Sequence, residues 1–232
     1  MDPTVAITGA TSGIGRAVAR AFVDEGAFVA VCGRNGSEVD RTVAELREET
    51  TDDTAWGARV DVRDELDLER FFENVARESG PIDVVLPNAA VFHGAPGESP
   101  TNDLSYKVFD DTIRTNARGV FATIREALPH LATDARVIVP SGSVAHESKP
   151  GMGAYAVSKA AAEAVARGFA ADVDATVGVV DPGLVATDLT GMEKARSPES
   201  VAPLFVWAAT DAPAEDLNGE RLGLREWKQA TR

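Results

Sequence analysis

Cysteine is nearly absent. Cys32 is the only one, so the chain forms no internal disulfide and no multi-cysteine metal site. Lysine is scarce as well: Lys107, Lys149, Lys159, Lys194 and Lys228 are the whole set in 232 residues. No apolar run approaches the roughly 18 residues of a membrane helix. An apolar strand pattern begins by Thr4, leaving no room for a cleavable signal, so a soluble, cytoplasmic protein is expected. His93, His130 and His146 lack metal-ligand spacing, and no metal is expected.

Acidic residues are plentiful by contrast. Asp plus Glu number 37 against 23 Lys plus Arg, a formal charge of -14. Such a field repels nucleic-acid phosphates and anionic lipid, which argues against either partner. At the least it is a solvated acidic surface. It also suits a salt-adapted, halophilic cytosol, where screening shortens self-repulsion and carboxylates keep the surface hydrated.

A chain of this length supports one domain, residues 1–232. Short Val- and Ile-rich runs near 4–8, 27–32, 54–60, 83–86, 136–140 and 175–180, with a weaker one near 220–224, read as strands. Helical patterns fill the gaps at about 14–22, 37–49, 64–78, 106–130 and 153–171. Strand and helix in alternation predict an α/β fold, a doubly wound Rossmann-type parallel sheet flanked by helices. Ligands of such sheets bind at the carboxyl ends of the strands. Irregular segments near 91–100 and 188–198 are the candidate substrate loops.

The stretch AITGATSGIGRA, Ala6 to Ala17, sets three glycines where the first strand gives way to the first helix, spaced G-x-x-x-G-x-G. Gly9 permits a sharp exit from the strand, Gly13 lets a ligand approach the backbone, and Gly15 lets the helix pack on the sheet. Free N–H groups and the helix dipole then face an anion, and a pyrophosphate fits. A ligand-free strand–helix turn would use the same glycines.

The loop Thr8-Gly9-Ala10-Thr11-Ser12-Gly13-Ile14-Gly15 resembles the nucleotide loop of the short-chain dehydrogenases/reductases, classical type, and further motifs follow in that family's order. The second strand ends Gly33-Arg34-Asn35. Gly33 stands where NAD-preferring members carry an acid, and the Arg34 guanidinium can grip a 2'-phosphate, so the resemblance implies NADP(H) as cofactor. Asp61-Val62 resembles the pair that meets the adenine, although Asp61 would serve equally as a helix cap. Pro87-Asn88-Ala89-Ala90 stands where the family has Asn-Asn-Ala-Gly. Asp181-Pro182-Gly183-Leu184-Val185-Ala186-Thr187 resembles the segment lining the nicotinamide, with Pro182, Gly183 and Thr187 at its matched positions.

Tyr155 and Lys159 lie four residues apart and project from one helical face. A phenol of ordinary pKa about 10 is a poor acid or base near neutrality, and an adjacent ammonium stabilises its phenolate. The resemblance makes Tyr155 the proton donor and acceptor and has Lys159 also hold the nicotinamide ribose. Asn116 matches the helix asparagine whose surroundings bind the water linking that lysine to solvent. The family's serine spacing falls on Gly142. Matching Gly142-Ser143-Val144-Ala145 as a word selects Ser143 to polarise the carbonyl, with Ser141 the competitor. Loop or helix-end positions account for the three histidines, with a fringe of the substrate pocket as the alternative for His93 and His146.

The resemblance spans residues 4 to about 219 and implies an NADP(H)-dependent carbonyl reductase or alcohol dehydrogenase acting on a small carbonyl or alcohol. Two alternatives remain at this point: a 3-oxoacyl thioester reductase, whose acidic carrier protein would meet an acidic surface, and an NADP(H)-sensing protein without turnover. Family members commonly assemble through the helices that carry Asn116 and Tyr155, which implies a dimer or tetramer. Between Thr187 and Ser197, where the family places a helical lid, nine residues remain, Asp188 to Arg196. The expectation is an open site with Leu184, Leu189 and Met192 as its apolar contacts.

Overall fold

The computed structural model describes residues 3–48 and 54–232. Seven strands form one parallel sheet in the order β3-β2-β1-β4-β5-β6-β7. They are β1 (Thr4–Thr8), β2 (Phe28–Gly33), β3 (Ala55–Arg59), β4 (Ile82–Leu86), β5 (Leu131–Pro140), β6 (Thr176–Asp181) and β7 (Arg221–Gly223). Their alternating side chains feed two cores. Val5, Ile7, Val29 and Val31 face one side, with α1 (Gly13–Asp24), α2 (Gly36–Glu48) and α7 (Pro198–Thr210) supplying the packing layer. Ala6, Ala30 and Cys32 face the other, packed by α3 (Glu65–Ser79), α5 (Gly119–Ala127) and α6 (Gly153–Asp172). Burial pushes the Cys32 thiol up to about 12, so it is an inert core group.

The sequence-expected strands and helices recur with small shifts at their ends; residue 49, the expected end of the second helix, lies outside the described residues. Three differences matter. The rod expected over 106–130 is interrupted: α4 (Tyr106–Ile113) passes into a π-helical turn over Arg114–Arg118 before α5 resumes, and a short 3-10 turn at Leu128–His130 closes it. The π turn holds Asn116, whose amide bonds both backbone groups of Val91: Val91 N–H donates to Oδ1 at 2.8 Å and Nδ2 donates to the Val91 carbonyl at 2.9 Å. That tether to a loop 25 residues away draws the helix wall outward, the behaviour of a π-bulge. Second, β5 begins at Leu131, earlier than expected. Third, α7, α8 (Ala214–Leu217) and α9 (Leu224–Ala230) fill the carboxyl-terminal part. Ser197 caps α7 by accepting from Ser200 N–H, and Pro198 takes its first turn.

The order reverses between β1 and β4, so their exits diverge and open a crevice. Asn88 stitches that point: its Nδ2 donates to the carbonyls of Thr8 at 3.2 Å and Gly9 at 2.8 Å. Gly9 has φ +65°, and a Cβ there would stand 2.6 Å from Ala89 Cα. A Cβ on Gly15 would collide with Asn88 Nδ2 and the Gly9 carbonyl. Two of the three loop glycines therefore have a packing reason independent of any ligand.

Candidate active site

Helix α1 starts at the crevice with its first-turn donors open. Its N-cap Ser12 makes no side-chain cap bond and no acidic residue occupies the first turn. In α3, by contrast, Asp64 Oδ1 accepts from Leu66 N–H at 3.0 Å and Asp67 N–H at 3.4 Å. Unsatisfied N–H groups at a helix start suit an anion.

A cleft of about 570 Å³ runs along the carboxyl edge of the sheet from this point. Gly9, Thr11, Ser12, Gly13 and Ile14 form its floor. Arg34 and Asn35 lie at the β2 end with Glu38, and Val60 and Val62 at the β3 end. Asn88, Ala89, Ala90, Val91, Phe92 and His93 continue the wall from β4, and Thr187, Asp188 and Leu189 close the far side. Gly15, Asp61, Asn116, Ser143, Tyr155, Lys159, Pro182 and Gly183 are not among its lining residues. Gly15 serves the packing just described. The Asp61 carboxylate is turned to Arg63, which donates to it through Nε and Nη2, the latter at 2.6 Å. That pairing holds the Asp61 carboxyl below its ordinary range and commits it to Arg63.

Fit to a dinucleotide is testable on the cleft's own atoms. Thr115 Oγ1, buried and lining the cleft, is the one buried side-chain polar atom among the described residues without a hydrogen-bond partner. Buried polar groups are ordinarily paired, so an orphan facing a cleft points to a partner that is not protein. Together with the open start of α1 and the glycine floor, the donor set suits a pyrophosphate-bearing ligand.

Tyr155 and Lys159 project from the first turns of α6. Lys159 Nζ lies 5.7 Å from the Tyr155 ring centroid and donates to the Pro140 carbonyl at 2.9 Å. The Tyr155 ring stacks on Phe92, centroids 4.8 Å apart and planes 19° from parallel. Through Phe92 the phenol adjoins the cleft wall. Burial pushes the Tyr155 hydroxyl up to about 12 and the Lys159 ammonium down to about 8, the latter partly offset by the Glu163 carboxylate. Burial acts on the Tyr155 hydroxyl in the direction opposite to the effect expected of the ammonium. The ammonium itself is drawn toward the Pro140 carbonyl. Asn116 Nδ2 also donates to Ser158 Oγ at 3.0 Å, tying the π turn to α6 beside this pair.

The two candidate serines have different partners. Ser141 Oγ donates to the buried Glu163 carboxylate at 2.7 Å. Ser143 opens the 3-10 turn Ser143–Ala145, and its Oγ accepts from Lys149 Nζ at 2.6 Å. His93 lines the cleft and bonds Asp111 through Nε2 at 2.8 Å, whereas His146 lies outside the cleft against Arg221. Phe92, Thr115 and Lys149 escaped the sequence reading. Only Thr115 carried a signal, as the neighbour of Asn116 in the motif. Among the described residues no group of His, Cys, Asp and Glu could hold a metal ion, and no helix is long and apolar enough to cross a membrane.

The short chain dehydrogenase family profile matches residues 3–198. Oxidoreductase asL5 of Sarocladium schorii is 32% identical over 191 residues, spanning 80% of this chain and 73% of its own. NADPH-dependent aldehyde reductase 2, chloroplastic, of Arabidopsis thaliana is 29% identical across 92% of this chain and 89% of its own. Among solved structures, the alcohol dehydrogenase of the archaeon Thermococcus sibiricus, complexed with 5-hydroxy-NADP, superposes with a TM-score of 0.86 at 29% identity, covering 97% of this chain and 96% of that one. Fold, crevice and motifs define a nicotinamide-dependent oxidoreductase of Rossmann type. The chain belongs to the short-chain dehydrogenase/reductase family.

Proposed function

We propose that the protein is an NADP(H)-dependent reductase of a small carbonyl compound, reversible toward the secondary alcohol. The observation that carries this is the Tyr155–Lys159 pair on α6, joined to the cleft wall through the Phe92 stack, with Arg34 lining the same cleft. Nicotinamide bound in the cleft would supply or accept the hydride. Tyr155, neutral across the physiological range with its hydroxyl near 12, holds the proton that the developing alkoxide needs. Ser141 is bonded to the buried Glu163 carboxylate, whereas Ser143 is held by Lys149 and the exposed Glu147 and can turn from Glu147 to donate to the carbonyl oxygen. Lys159 holds positive charge beneath the phenol, and Asn116 secures the π turn against α6. Arg34 is exposed and lines the cleft, where its charge also acts on Asp61, as suits a clamp for a 2'-phosphate. A cytoplasmic location and assembly with further copies of the chain belong to the same reading. Phe121 and Val157, each 42% exposed on α5 and α6, support the second.

The test is NADPH oxidation, read by absorbance, over a panel of ketones and aldehydes, with Tyr155→Phe alongside. The wild type should turn over and the variant should lose nearly all turnover while retaining NADPH binding. Tight NADPH binding with no turnover on any carbonyl would instead support a sensing protein.

A further inference from the structure

Four threonines on helices satisfy their own hydroxyls. Thr42, Thr112, Thr123 and Thr210 each donate Oγ1 to the carbonyl four residues earlier, at 2.7 to 2.9 Å. Thr115 does not, although it lies on the same rod as Thr112 and Thr123 and is only 4% exposed. It sits in the π turn that also carries the Asn116 tether, where the backbone departs from α-helical register. The bulge thus leaves one buried hydroxyl with its bonding capacity unspent.

Its direction follows from its neighbours. Asn116 is turned to Val91 and Ser158. Gly119, about one turn beyond Thr115, faces the segment that follows β3: a Cβ there would stand 2.9 Å from Val62 Cγ2. Thr115 and Val62 line the same cleft, with Val60 beside them. The hydroxyl therefore borders the part of the cleft next to the segment that follows β3. A hydroxyl both donates and accepts, and the edge of a purine and its ribose offer partners of both kinds.

We propose that Thr115 Oγ1 binds the adenosine half of the dinucleotide by a direct hydrogen bond. The proposal rests on the reading of the cleft as a dinucleotide site. It gives the π turn a second consequence: the distortion that secures Asn116 on one face frees a hydroxyl for cofactor on the other. Thr115 is a binding residue here and takes no part in proton transfer.

The experiment compares wild type, Thr115→Val, Thr115→Ala and Thr115→Ser by calorimetric titration with three probes: NADPH, 2'-phospho-ADP-ribose and nicotinamide mononucleotide. Melting without ligand is recorded for each. Loss of one hydrogen bond to a ligand corresponds to about a tenfold rise in Kd. Thr115→Val should show that rise for NADPH and for 2'-phospho-ADP-ribose, with nicotinamide mononucleotide unchanged. Its ligand-free melting midpoint should hold or rise, because an unpaired buried hydroxyl has gone. Thr115→Ser should bind like wild type, and Thr115→Ala supplies a second hydroxyl-free variant if Val does not fold. Equal Kd values for all four proteins would overturn the proposal, as would a loss confined to nicotinamide mononucleotide. Failure of the wild type to bind NADPH or 2'-phospho-ADP-ribose would overturn the dinucleotide reading itself, a result distinct from equal binding by the variants.

Discussion

Lys149 Nζ donates to Ser143 Oγ at 2.6 Å and to the Glu147 carboxylate at 2.8 Å. The ammonium occupies a lone pair of the serine oxygen and so restricts where its proton can point. The Lys149 side chain is itself 40% exposed, so its effect is on orientation more than on stability. Replacing Lys149 by Met should lower turnover about tenfold through loss of a fixed donor to the carbonyl, with NADPH affinity unchanged. Steady-state kinetics and a binding titration on one preparation check both halves, and unaltered turnover would show that Ser143 orients itself.

The buried pair predicts a pH dependence with opposite signs for rate and stability. Burial lowers Lys159 from its ordinary 10.5 to about 8, so carbonyl reduction should fall as pH rises through about 8 and the ammonium beneath Tyr155 is lost. Between about 8 and 10.5 the unfolded chain binds a proton that the folded chain has released, so this group's contribution makes stability rise with pH there. Below 8 the folded protein carries the cost of a buried charge. Lys159→Met should accordingly abolish turnover yet raise stability at pH 7 by about 1–3 kcal/mol. Denaturant unfolding at pH 7 and pH 9.5 checks it: the variant's advantage must shrink at the higher pH.

What the sequence disclosed and what it concealed follow from the range of the interactions. Val29 and Val31 on one face with Ala30 and Cys32 on the other are buried on both sides, so β2 is visible as a short apolar run. Helix α7 was invisible as a helix. Val201, Ala202, Leu204, Phe205, Ala208 and Ala209 leave no polar stripe to mark a period, and only Ser197-Pro198 signals its start. The start of β5 was missed because Asp134 sits at φ +61° and breaks the apolar pattern. Tyr155, Lys159 and Asn116 were legible because their spacing is local or carried by a motif. The Phe92 stack, the Lys149 contact and the orphan hydroxyl of Thr115 are tertiary facts without a local pattern.

Cofactor choice turns on two adjacent positions. A Cβ on Gly33 would stand 2.9 Å from Thr11 Cγ2, so an acid at 33 would press on the Thr11 side chain. Arg34 is exposed and can be exchanged. Glu38 lines the same end of the cleft. Arg34→Asp should shift kcat/KM from NADPH toward NADH by at least tenfold, because two carboxylates would then face the 2'-phosphate. Ratios measured with both cofactors decide it; an unchanged ratio would mean that another group reads the phosphate.

The charge of -14 predicts a response to salt. Repulsion among acidic side chains is screened within about 3 Å at 1 M salt, against about 10 Å at 0.1 M. The melting midpoint should rise by several degrees between 0.1 and 2 M KCl. A flat or falling curve would show that the acidic surface is solvation alone, without adaptation to salt.

A broad substrate range is predicted from the segment between Thr187 and Ser197, which folds upon itself. Ala186 N–H donates to the Arg196 carbonyl at 2.7 Å, and Val185 bridges Arg196, so the intervening segment is pinched off as a loop. Thr190 Oγ1 donates to the Val185 carbonyl at 2.7 Å and tightens its first turn. No helix forms there. Of the three apolar residues expected to contact substrate, only Leu189 lines the cleft; Leu184 is 60% exposed, and neither it nor Met192 reaches the wall. Little remote binding energy is then available to orient the reacting carbonyl. Specificity constants across a homologous ketone series should vary gently with chain length, and saturation should be weak. Leu189→Ala should flatten the series further, whereas Leu184→Ala should leave it unchanged. A sharp optimum at one chain length with submicromolar saturation would show that the 91–100 loop closes the pocket in place of this segment.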